Sequence, residues 1–168
     1  VTSPFRKIGA LEGMSGIRAI CFRTGTSYMA SPRALTKDEV LDMVRAGKSL
    51  EGADLRGTDL TGIDLAGRSL RNAKLGEALL VRANLSGTDL SGASLWHADL
   101  KYADLSGANL EDADLDFCNL EGVTLKGARI RKTTFPLKRV KMRDVMASVQ
   151  TGRRLVCLME EDEDEMPI

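Results

Sequence analysis

Residues 98–115 read ADLKYADLSGANLEDADL, and the spacing of their leucines decides how the chain folds. Stepping by five from Leu50, every position through Leu125 is Leu, 16 in succession, followed by Ile130 and Phe135. Period five suits neither ordinary element. On an α-helix five residues advance about 500°, so successive leucines would circle the axis. In a straight strand, residues five apart point to opposite faces. One buried row of Leu therefore needs a turn inside each unit. Gly two residues after Leu, at 52, 57, 62, 67, 87, 92, 107, 122 and 127, supplies the positive φ of tight turns.

Two residues before each Leu, from 53 to 133, the side chain is Ala, Thr, Cys or Val at 15 of 17 positions; Ile63 and Arg68 are the exceptions. Shared parity places this small residue inward beside the Leu. The residue between them faces water and is often Asp or Asn. Units such as GADLR, RANLS, HADLK, YADLS, GANLE and DADLD resemble the A(D/N)Lxx signature of the pentapeptide-repeat family over residues 50–135. The resemblance implies an all-β solenoid, a right-handed quadrilateral β-helix of about four coils, four units to a 20-residue coil. At a strand spacing of about 4.8 Å such a rod is roughly 20 Å tall.

The flanks frame this region. Residues 1–35 form an N-terminal flank with a β-hairpin signal around Arg23–Thr26. Residues 36–48 hold a capping α-helix, read from the Thr36–Glu39 capping box, the apolar Val40, Leu41 and Val44, and a Gly47 stop. The β-helix occupies 49–135. Arg68, charged at an inward position, predicts a distorted first coil with its side chain turned outward. Residues 136–159 are a C-terminal flank, cap or dimer contact, read as a hairpin around Thr151-Gly152 with a helix over 137–148 as rival. Residues 160–168 are an acidic disordered tail.

Lys plus Arg is 24 and Asp plus Glu is 24, so net charge is zero, which disfavours direct nucleic-acid binding. No apolar run reaches the length of a membrane span. Three widely spaced Cys without a CxxC pair fit reduced thiols and a cytoplasmic, bacterial protein. The chain reads as no enzyme: it has one His, no metal set and no P-loop or GxSxG, so no cofactor is expected.

Twenty-residue stacking singles out one region. Glu77, Leu79, Arg82, Trp96, His97, Tyr102 and Phe117 converge on one face and its two corners, with His97 under Phe117 and Arg82 under Tyr102 as a cation–π pair. Three readings stand: a patch for an unidentified protein partner, side chains that only stiffen the corner, or a surface covered by a terminal flank. The leading function is a non-catalytic protein–protein interaction scaffold presenting a rigid β-helix surface, with a homodimer through the terminal flanks as a further expectation. The resemblance implies one alternative, a DNA-mimic binder of gyrase or topoisomerase giving quinolone-type protection. The 13 acids and 10 bases of residues 50–135 disfavour it. Another alternative is a structural or regulatory subdomain of a longer chain, which the Val1 start and the acidic run fit.

Overall fold

The computed structural model describes residues 33–157. The hairpin expected around Arg23–Thr26 and the acidic run at 160–165 lie outside them. Helix α1 spans Lys37–Arg45 and helix α2 spans Met142–Thr151. Between them the backbone is a succession of tight turns that passes over itself every 20 residues. Thirteen isolated parallel bridges, each joining residue i to i+20, run from Asp54↔Lys74 to Asp114↔Thr134.

This corrects the expected fold class. Among the described residues there is no β-strand, and the regular secondary structure is the two helices. The all-β solenoid, a right-handed quadrilateral β-helix, is overturned for a physical reason. Each five-residue unit gives two residues to a corner, leaving one residue to bridge its neighbour. A bridge one residue long cannot extend into a strand, because a strand needs consecutive bridged residues.

The turn stack is closed by backbone bonds of two kinds. Each unit donates across the gap, as from Leu75 N–H to the Ser94 carbonyl at 2.7 Å. Each corner closes on itself, as from Ala78 N–H to the Leu75 carbonyl at 3.1 Å. Every Leu of the five-residue series from Leu50 to Leu125 is buried, lined by Ala73, Ala78, Ala83 and their equivalents. Inward hydroxyl and thiol groups are satisfied by carbonyls 23 residues back: Thr58 to Leu35, Thr88 to Leu65, Cys118 to Leu95 and Thr133 to Leu110. Burial pushes the Cys118 thiol up to about 12, so it stays protonated.

Arg68 is exposed, but the first coil is not distorted. Arg68 N–H donates to the Leu65 carbonyl at 3.1 Å, and the Arg68 carbonyl accepts from Asp89 N–H at 2.9 Å, the same pattern as elsewhere. Only the side chain turns away.

Both ends of the stack are covered. Thr36 and Glu39 make a reciprocal capping box at α1. Val40 is buried, and Leu35, Leu41, Met43 and Val44 pack on the core. At the other end α2 buries Val145 and Ser148, whose hydroxyl accepts from Leu125 N–H at 3.0 Å. The segment after α2 runs back over the last coil. The Gly152 carbonyl accepts from Thr124 Oγ1, Leu155 bonds Val123 and Gly122, and Cys157 reaches the Leu120 backbone. Residues 142–151 are helical, so they form no hairpin arm.

Candidate functional site

The corners explain where large side chains are displayed. The second corner residue of every unit has φ between 55° and 70° from Gly52 through Lys132. Gly holds nine of these positions, at 52, 57, 62, 67, 87, 92, 107, 122 and 127. Eight others are not Gly: Asn72, Glu77, Arg82, His97, Tyr102, Asp112, Phe117 and Lys132. Bulky residues are rare in this left-handed region and cost roughly 1 kcal/mol or more each. Five of the seven residues singled out from the sequence sit at such strained corners.

The structure joins three of them in one aromatic cluster. His97 lies flat on Phe117, centroids 5.0 Å apart and planes 6° from parallel. Trp96 meets His97 edge-on at 4.1 Å and Phe117 edge-on at 6.3 Å. The cluster is still open to solvent: Phe117 is 60% exposed and Trp96 is 44% exposed. Glu77 occupies the same corner one coil earlier, its N–H donating to the Trp96 carbonyl at 2.9 Å. Leu79, 45% exposed, lies on the adjoining face in a column with Asp59, Asp99 and Asn119.

Arg82 and Tyr102 occupy the far corner, but the expected cation–π pair is replaced. The cation over the Tyr102 ring is Lys101, its Nζ 5.4 Å from the centroid. The ring leans onto Gly122, where any added side-chain carbon would collide with it. The missing side chain at 122 leaves the space that the ring fills.

The outward Asp and Asn residues have a local task. The Oδ1 of Asp54, Asp59, Asp64, Asp89, Asp99, Asp104 and Asp114 accepts the N–H two residues on, capping each corner as an Asx turn. Hydrogen bonds from the Arg56 guanidinium hold the Asp54 carboxyl below its ordinary value, and the Thr61 N–H does the same for Asp59. Carboxylates never stack on successive coils of residues 50–135. An uncharged or basic side chain always intervenes, in several places a donor, as in Asn84 to Asp64 at 3.0 Å, Asn109 to Asp89 at 3.0 Å and Thr134 to Asp114 at 2.8 Å. That pattern leaves no continuous acidic column of the kind a mimic of DNA needs.

A polar cleft at the neighbouring corner, between Arg71, Asp89, Glu111 and Arg129, holds its charges against one another. Arg71 lies 3.7 Å from Glu51 and Arg129 lies 3.2 Å from Glu111. Sequence reasoning missed four other exposed apolar side chains, Leu137, Met142, Met146 and Val156, all on the C-terminal flank. Met142 and Met146 stand four apart, a helical spacing that the hairpin reading could not register.

A turn stack with a 20-residue return, an Ala–Leu interior and Asx-capped corners defines a repeat protein built from five-residue units. The chain belongs to the pentapeptide-repeat family. The family's sequence model, "Pentapeptide repeats", matches eight copies over residues 49–87, 69–107 and 103–135, together just over half the chain. With that membership goes a non-catalytic character. A crystallised pentapeptide-repeat protein, Rfr23, from the cyanobacterium Cyanothece 51142 is 38% identical, with a TM-score of 0.50 over 51% of this chain and 58% of that one. A pentapeptide-repeat protein of the Arabidopsis thaliana thylakoid lumen is also 38% identical, with a TM-score of 0.39 over 48% of this chain and 59% of that one. The chain thus spans less than two thirds of either relative. No curated protein matches it. Among the described residues no helix is long and apolar enough to cross a membrane.

The expected function is corrected with the fold. The scaffold role is typical of the family, but a rigid β-helix surface is not what the chain presents, because its described residues form no strand.

Proposed function

We propose that the chain is a non-catalytic interaction scaffold that docks a protein partner on the corner formed by Trp96, His97 and Phe117, with Glu77, Leu79, Arg82 and Tyr102 around it. One observation carries this reading. His97, Tyr102 and Phe117 hold a positive φ that Gly holds elsewhere in the same stack, and their side chains remain exposed. Strain retained without burial points to a use outside folding. Trp, Tyr and Arg are also the side chains that dominate binding hot spots. The test is affinity capture from the native host with a Trp96→Ala, Tyr102→Ala double variant. Loss of specific partners is expected; recovery of every wild-type partner would sink the proposal.

The C-terminal flank favours a second contact, a homodimer. Leu137, Met142, Met146 and Val156 are between 44% and 66% exposed on that one flank. Sedimentation of the full chain should show a dimer that grows with protein concentration; a monomer at every concentration contradicts it. A cytoplasmic location belongs to the same proposal and is supported by the free thiols of Cys118 and Cys157.

A further inference from the structure

Whole-chain neutrality conceals a strong local imbalance. Residues 126–157 carry a net charge of +9, and the 11 residues that follow carry −6, all of it in Glu160–Glu165. Part of the positive charge is already engaged: Arg129 with Glu111 at 3.2 Å, Lys132 with Asp112 at 3.7 Å, Arg143 with Asp144 at 3.9 Å. Lys126, Arg131, Lys138, Lys141 and Arg153 are exposed and make no ion pair among the described residues. Five unengaged cations on one end are an electrostatic site for a run of anions.

The course of the chain says what reaches it. Residues 152–157 run antiparallel over 124 to 120 and leave the described residues beside Leu120. Burial pushes the Cys157 thiol up, and Glu121 faces it along with the cations Arg139 and Lys101. Glu165 stands eight residues past Cys157, and a chain of that length extends at most about 28 Å, more than the roughly 20 Å height of the turn stack, so the run is long enough to lie over the basic flank it follows.

We infer that the basic C-terminal end is a binding surface for contiguous carboxylates, and that its ligand is the chain's own Glu160–Glu165. The docked segment screens the +9 end and sets what else binds there. Any outside polyanion must displace six tethered carboxylates first. This inference is independent of the aromatic corner, and its test needs no partner.

The experiment is zero-length carbodiimide coupling of the full wild-type chain at 0.05 M salt, with the joined peptides mapped by mass spectrometry. Amide links from residues 160–165 should concentrate on Lys126, Lys138 and Lys141, several-fold over Lys37, Lys48 and Lys74. They should fall several-fold at 1 M salt, where the screening length is about 3 Å. Even spread over all lysines, no links, or links only between two copies in a mixed-isotope sample would each overturn the inference.

Discussion

At the scale of single residues, the corner position explains both the glycines and the exceptions to them. Gly occupies a positive φ at no steric cost, and an aromatic residue there is kept against that cost. His97→Gly should therefore change the thermal midpoint little, because relief of backbone strain offsets the greater freedom of Gly in the unfolded chain. A net change within about 1 kcal/mol is expected from thermal melts. Leu90, fully buried, is the contrasting case. Leu90→Ala should cost about 2–5 kcal/mol through the cavity it leaves, read from denaturant midpoints. Much of this was legible in the sequence. Five-residue spacing and parity placed Leu and Ala inward and Asp outward. Parity did not say what Asp does there, since an Asx cap depends on where the N–H two residues on points. Nor could stacking arithmetic foresee that Tyr102 leans on Gly122: a spacing of 20 names neighbours on both sides and gives no preference between them.

At the scale of elements, the two helices show which local signals suffice. The capping box at Thr36 and Glu39 is readable because both partners lie within four residues. Thr36→Ala should cost about 1 kcal/mol, measured by chemical denaturation. The Arg33 guanidinium beside Glu39 holds its carboxyl down at about 2. A depressed carboxyl contributes stability above its unfolded value, near 4.5, and loses it as pH falls toward 2. Asp54 and Asp59 are lowered too, so stability should begin to fall only as pH drops through about 4.5 and should go on falling below pH 4. Melts from pH 7 to pH 2 check this; a midpoint already falling between pH 7 and pH 5 would contradict it. Helix α2 was harder to read. Thr151-Gly152 signals a hairpin turn, yet Gly152 at φ 79° is the left-handed cap of a helix. The same dipeptide serves both, and only packing of Val145 and Ser148 on the last coil decides between them.

At the scale of the whole molecule, recurrence was legible and strand content was not. A period of five fixes how often the chain turns. Whether the residues between turns form strands depends on how many of them bridge, and here it is one. Charge shows a similar gap between sum and distribution. A net of zero disfavours direct nucleic-acid binding, while the stack to residue 125 is acidic and its C-terminal end is strongly basic. The central claim is that the aromatic corner exists for binding and not for folding. Its most direct measurement is Phe117→Gly, assayed by thermal melt and by affinity capture from the native host on the same preparation. The account predicts an unchanged melting midpoint together with loss of the specific partners. Retention of all partners with a midpoint several degrees lower would show that the corner serves stability alone, and would contradict it.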